Sequence, residues 1–209
     1  MIVQLLRNVS MKFNPILLDV SEQIETKRLI LRAVMPGDGA VHFAAMQESL
    51  RDLRQHLAHL PWVKEEPSLL NSEKFCRTSR SRFIQRESMV YFIYLKSDQS
   101  FIGDVGLHRI EWDIPKVEIG YWCRSGAQGN GYIVEAVKAI TEFSLTQLAA
   151  KRIEICADDL NVSSWKVAER AGFELEGILR NASRDGVTDQ LRDLRVYSKI
   201  RTEIPAKVA

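Results

Sequence analysis

Apolar and polar residues alternate along residues 25–34, with Leu29 and Leu31 set against Arg28 and Arg32, and this period of two predicts a first strand from Glu25 to Val34. Pro36-Gly37-Asp38-Gly39 ends that strand and caps a helix from about Ala40 to Leu50. A second helical piece, Arg51 to Leu60, stops at Pro61. A loop from Trp62 to Pro67 then leads to a third helix, Ser68 to Arg86. Ser88 to Leu95 and Phe101 to Arg109 read as strands joined by a turn at Ser97-Asp98-Gln99-Ser100, and Lys116 to Cys123 is the next strand. Ile133, Val137, Ile140, Leu145 and Leu148 then recur at helical spacing and predict a long amphipathic helix. Arg152 to Ala157 is a strand, and Asn161 to Ala171 is a short helix closed by Gly172 as its C′ residue. Phe173 to Leu179 and Asp193 to Ile200 form a last antiparallel pair, with Arg184-Asp185-Gly186 in the connection. This order implies an α/β (α+β) fold with a mixed, mostly antiparallel sheet and helices on both faces.

The 209 residues suffice for one domain with a full core. The expected layout is an accessory segment over residues 1–24, the domain over 25–201 and a frayed tail over 202–209. A formal net charge of +2 is too small to argue for nucleic acid or an anionic membrane. Cys76, Cys123 and Cys156 lack metal-ligand spacing and read as reduced thiols, which with the absence of a signal-peptide pattern predicts a cytoplasmic protein. Met11 offers an alternative start.

Gln128-Gly129-Asn130-Gly131-Tyr132, between a strand and a helix, is the strongest chemical signal. Such a loop gathers free backbone N–H groups at the positive end of a helix dipole, and glycines let an anion approach the main chain closely. The same pattern also fits a purely geometric turn. Val134 stands where the dinucleotide fingerprint needs a third glycine, and Tyr132 stands where the nucleotide P-loop needs lysine; both nucleotide readings fail.

Four local motifs, with the order of elements, resemble the GCN5-related N-acetyltransferases (the GNAT superfamily), over roughly Glu25 to Ile200. Arg124 to Tyr132 looks like the loop that binds the coenzyme A pyrophosphate, and Glu135-Ala136 continues it. Asn161-Val162-Ser163-Ser164 with Ala168-Glu169-Arg170-Ala171-Gly172-Phe173 resembles the branch that contains the ribosomal-protein N-terminal acetyltransferases. Glu176-Gly177 and Val196 to Ile200 fit the same branch.

The resemblance implies acetyl-CoA as cosubstrate, no metal, and a splayed strand pair that holds the pantetheine arm. It assigns Trp122, Cys123, Arg124, Gln128, Gly129, Asn130, Gly131, Tyr132, Ile133, Asn161 and Ser164 to coenzyme binding, with the pyrophosphate at the amides from about Gln128 to Ile133 and the Tyr132 ring packed over the coenzyme. A backbone N–H near Trp122 or Cys123 would receive the oxyanion of the tetrahedral intermediate. Ser164 would protonate the departing thiolate, and Asn161 would contact the coenzyme or cap the helix. Gly120 leaves room for the acetyl group, or marks a strand bulge. Two positions depart from the pattern: Gly126 stands where the loop often begins with Gln or Arg, and Ser183 falls near a carboxylate proposed as general base. Glu118 is then the best remaining carboxylate for that base, with Asp193 and Asp104 weaker and His108 a backup.

Residues 40–86 would form the acceptor side, with His56, His59 and Trp62 near its middle; Arg77, Arg80, Arg82 and Arg86 read as a solvated surface. The expected acceptor is a protein N-terminus, possibly of a ribosomal protein, with neither nucleic acid nor membrane as partner, and the chain a monomer or homodimer. A small amine such as a polyamine, for which Glu65-Glu66 is the one acidic run, and a non-catalytic coenzyme sensor are the alternatives.

Overall fold

A computed structural model describes residues 13–57 and 60–201; His59, the side chain of His56, Met1, Met11 and the tail from Thr202 lie outside the described residues. In chain order the elements are β1 (Gln23–Glu25), β2 (Leu29–Ala33), α1 (Gly39–Leu57), α2 (Pro61–Lys64), α3 (Leu69–Gln85), β3 (Met89–Leu95), β4 (Phe101–Glu111), β5 (Lys116–Cys123), α4 (Tyr132–Thr146), β6 (Arg152–Asp158), α5 (Val162–Arg170), β7 (Glu174–Arg184) and β8 (Leu191–Ile200). The strands form one eight-stranded sheet in the order β1-β2-β3-β4-β5-β6-β8-β7. All neighbours are antiparallel except β5 and β6.

The period of two sorts side chains to the two faces of the sheet. Met89, Tyr91 and Ile93 of β3 and Val117 and Ile119 of β5 join Val137, Ile140 and Phe143 of α4 in the larger core. Val90, Phe92 and Trp122 face the other way, against Ala45 and Met46 of α1 and Cys76 of α3.

Three expectations for the first third of the chain need correction. The first strand is two, because Thr26 closes a turn: its backbone N–H donates to the Leu29 carbonyl at 3.0 Å and its hydroxyl accepts from the Leu29 N–H at 2.9 Å. The alternation through Arg28 concealed that turn. The two helical pieces after Gly39 are one helix, since no glycine or proline interrupts them and Leu53 continues the buried face of Met46. The loop after it begins with a helical turn, α2, which Pro61 opens at a position that tolerates a missing N–H.

The parallel pair β5–β6 sets up the site. It is registered only at Lys116↔Arg152, Val117↔Ile153 and Glu118↔Glu154. Beyond Glu118 the strands separate, while β5 stays paired with β4 as far as Cys123 and β6 stays paired with β8. A fork therefore opens in the middle of the sheet.

Candidate active site

At one mouth of the fork lies the glycine loop. Gly129 and Gly131 have φ of +78° and +74°, the left-handed region that glycine adopts without strain. A Cβ on Gly129 would meet nothing within 4 Å, and one on Gly131 only Arg28 Nη2 at 3.8 Å, so the loop presents bare main chain. Among the described residues none accepts from the N–H groups of residues 129–134; the first helical bond of α4 is Glu135 N–H to the Gly131 carbonyl at 3.1 Å. Unpaired amides at a helix start have the donor chemistry that a pyrophosphate needs.

The upstream half of the loop is fixed by α1. Glu48 accepts from the Gly126 N–H at 2.8 Å and pairs with Arg124 at 3.5 Å. Ser49 accepts from the Ser125 N–H at 3.0 Å, and Asp52 accepts from the Ser125 hydroxyl at 2.5 Å. Asn130 braces the tip by donating through Nδ2 to the carbonyls of Ala127 (3.2 Å) and Gln128 (3.0 Å).

From the β1–β2 turn, Arg28 reaches the downstream half. It donates through Nε to Glu135 Oε2 at 2.6 Å and through Nη1 to the Asn130 carbonyl at 3.1 Å, and it lies 4.6 Å over the Tyr132 ring. The Thr26 hydroxyl donates to Glu135 Oε1 at 2.6 Å. Glu135 thus ties the edge hairpin to the start of α4.

Within the fork, strand alternation assigns the backbone groups. Arg124 N–H donates to the Ile102 carbonyl on the β4 side at 2.8 Å, so Trp122 N–H faces β4 and Cys123 N–H faces the fork. Of the two backbone amides named from the sequence, Cys123 N–H is the one that faces the fork. Its thiol, like that of Cys156, is pushed up to about 11 by burial and stays neutral, which suits a packing residue.

Ser164 sits at the start of α5 opposite β5. Asn161 caps that helix by accepting from the Ser164 N–H at 3.1 Å, which leaves the Ser164 hydroxyl free of capping. That hydroxyl lies 3.3 Å from the Tyr121 hydroxyl, which itself donates to the Ser164 carbonyl at 2.8 Å. Burial pushes the Tyr121 phenol up to about 12, so it remains a proton donor at neutral pH.

On the face of α1 and α3 the fork opens into a cleft of about 960 Å³ whose walls include Glu118, Gly120, Trp122, Asn161 and Ser164. Ser183 and Trp62 also line it. The loop over residues 128–133 does not line the cleft. Glu118 is held by Arg109 at 2.6 Å. Gly120 is in regular register with Gly106, which removes the bulge reading, and the space above it is filled by the His108 ring. Asp193 is occupied in accepting from the Asn181 N–H at 2.9 Å. Three of the four expected surface arginines have structural partners: Arg77 pairs with Glu73, Arg80 with Glu22, and Arg86 donates to the carbonyls of Phe83 and Leu18.

The sequence profile of the acetyltransferase (GNAT) domain matches residues 28–174. The chain belongs to the GNAT acetyltransferase family. The ribosomal-protein-serine acetyltransferase of Escherichia coli is 30% identical to it over 145 residues, 66% of this chain and 79% of that protein. YdaF of Bacillus subtilis is 35% identical over 108 residues, 51% of this chain and 57% of YdaF, so the chain spans less than two thirds of that relative. Among solved structures, a microcin self-immunity acetyltransferase, MccE, in complex with acetyl-CoA and AMP has a TM-score of 0.76 at 21% identity, covering 84% of this chain and 94% of that one. At that identity the likeness is one of fold.

In this GNAT domain several polar pairings escape a reading of the sequence, because each joins residues on separate elements: Arg28 with Glu135, Tyr121 with Ser164, and Asp104 with Trp122. Asp104 is buried in the cleft wall and accepts from Trp122 Nε1 at 2.6 Å. Burial pushes its carboxyl from 3.8 up to about 7, although the Trp122 bond pulls the other way. His42, which also lines the cleft, stacks on Phe75 at 4.7 Å and is pushed down to about 4 by burial.

The Asp104 shift has a consequence for stability. Between about pH 4 and 7 the folded chain holds a proton that the unfolded chain has released, so this contribution is full below pH 4 and is lost as pH rises through 7. Asp104→Asn keeps an acceptor for Trp122 and removes the titration. The variant should gain up to about 4 kcal/mol on wild type between pH 4 and pH 8. Denaturant unfolding of both proteins at the two pH values checks it; parallel pH curves would show that Asp104 is ionised throughout.

Proposed function

We propose that this chain is an acetyl-CoA-dependent N-acetyltransferase whose acceptor is the α-amine of a protein N-terminus, with ribosomal proteins as the leading substrate class. The observation that carries the reading is the forked β5–β6 pair, with unpaired loop amides at one mouth and the acceptor cleft at the other. The relationship to a ribosomal-protein-serine acetyltransferase supports the acceptor class. Residues 129–133 would hold the pyrophosphate, Cys123 N–H the developing oxyanion, and Ser164 the proton for the leaving sulfur. A thiol of pKa about 8.5 leaves readily, so a weak donor such as a hydroxyl suffices.

The polyamine reading finds less support. Glu66 is paired with Arg54 at 2.7 Å and Glu65 accepts from Asn71 Nδ2 at 3.2 Å, which leaves that acidic run already committed. CoA release measured over serine-terminated peptides, polyamines and amino acids tests the assignment. Release with the peptides is expected. Faster release with polyamines would transfer it to small amines, and acetyl-CoA binding without release on any amine would make the protein a sensor.

Ser164→Ala should lower kcat about tenfold to a hundredfold while the KM for acetyl-CoA changes less than twofold, because the hydroxyl acts only as the C–S bond breaks. Steady-state kinetics decide. A change confined to KM or to thermal stability would make Ser164 a contact or a helix residue only.

A further inference from the structure

The cleft wall holds an imidazole for which the backbone has made room. Gly106 on β4 and Gly120 on β5 are register partners, and the His108 ring lies over both: a Cβ on Gly106 would stand 2.8 Å from Nε2, and one on Gly120 would stand 3.1 Å from Cδ2 and 3.3 Å from Nε2. The far side of the ring is anchored. His108 Nδ1 is 3.0 Å from the Ser88 hydroxyl, which also lies 3.0 Å from the Leu107 carbonyl. A hydroxyl has one proton and a carbonyl can only accept, so both contacts are satisfied together when Ser88 donates to Leu107 and accepts from Nδ1–H. That arrangement leaves a lone pair on Nε2, over the two glycines.

The competing groups are committed elsewhere. Glu118, across the strand pair from His108, is tied to Arg109; His42 is held by Ser72 at 3.0 Å and stacked between Phe75 and Phe92; Ser183 carries no carboxylate. The charges around His108 are Arg109 on its own strand, Arg82 on α3, Glu118 on β5 and, further along β4, the buried Asp104. Burial, then Arg109 and Arg82, hold its pKa below the usual 6.5, so the ring is a neutral acceptor at pH 7.

We infer that His108 Nε2 is the catalytic base that takes the proton shed by the acceptor amine. The inference rests on the acetyl-transfer reading above. In the step, the amine nitrogen bonds to the acetyl carbon and the C–S bond breaks, with no change of oxidation state. One proton of the original ammonium passes to solvent before attack. The nitrogen sheds a second to Nε2; the imidazolium passes it to solvent, and solvent returns one proton to the Ser164 oxygen, which gave its own to the sulfur.

The test is the pH dependence of kcat, at saturating acetyl-CoA and a serine-terminated peptide, for wild type, His108→Gln and Glu118→Gln. Wild-type kcat should level off above the depressed imidazole pKa. His108→Gln should lose about a hundredfold at pH 7 and lack that plateau, its deficit narrowing towards pH 9 as hydroxide substitutes for the base. Its KM for acetyl-CoA should stay within twofold of wild type. If His108→Gln melts below the assay temperature, Ser88→Ala, which frees the ring to take the other tautomer, should still lower kcat about tenfold. A pH-independent loss in His108→Gln, no loss, or the vanished plateau appearing in Glu118→Gln instead would overturn the assignment. Wild type that releases CoA with no amine would overturn the transfer reading itself, and this inference with it.

Discussion

At pH 7 a peptide with a free N-terminus should be acetylated at least a hundredfold more efficiently, as kcat/KM, than the same peptide with that end blocked and an internal lysine exposed. An α-amine of pKa about 7.7–8.0 is neutral in roughly a tenth of molecules at pH 7, and a lysine amine near 10.4 in well under one part in a thousand. Reaching the neutral nucleophile therefore costs about 1 kcal/mol for the first and about 4 to 5 kcal/mol for the second. A site that abstracts protons from lysine would want an uncommitted carboxylate at the attack position. Here Ser183 carries none and Glu118 is bound by Arg109, while Asp104 is buried against Trp122. The kcat/KM for the free peptide should rise as pH approaches 8, following the neutral amine. Equal or faster acetylation of the blocked peptide would overturn the α-amine assignment.

Gly131→Leu should weaken acetyl-CoA binding about a hundredfold while the protein still folds. Part of the loss is conformational: φ at this position is +74°, where a residue with a Cβ is strained by about 1–2 kcal/mol. The larger part is obstruction, because the side chain would project among the unpaired amides of residues 129–134 and towards Arg28. Gly129→Ala separates the two effects, since φ there is +78° but an added Cβ meets nothing within 4 Å. It should lose affinity by only a few-fold. Calorimetric titration with acetyl-CoA on both variants gives the answer, and unchanged affinity in a folded Gly131→Leu protein would dissociate the loop from the coenzyme.

What the sequence reveals is what depends on neighbours along the chain. The bounds of β5 and the start of α4 follow from alternation and helical spacing, and the Asn161 cap follows from one side chain ahead of a helix. β7 runs to Arg184 rather than stopping at Leu179, because its residues are largely exposed and leave no hydrophobic period to read. The site is less legible than the fold for a related reason. The forked opening needs the register of two strands separated by a whole helix. The Arg28–Glu135 tie spans 107 residues. The chain shows a glycine at 120, but not that an imidazole from the neighbouring strand occupies the space it leaves.

The fork also gives the sheet an unusual mechanical form. An eight-stranded sheet has two free margins, here β1 and β7, yet this one has a third in its interior, where β5 beyond Glu118 and β6 beyond Glu154 no longer bond each other. The sheet is thus two plates, β1–β5 and β6–β8, whose ladders meet at three residue pairs near one end beneath one shared core. Along the open seam, backbone groups keep a bonding capacity that the described residues leave unused. An extended, amide-bearing molecule laid there would act as a missing strand, so whatever fills the seam would complete the architecture as well as occupy the site.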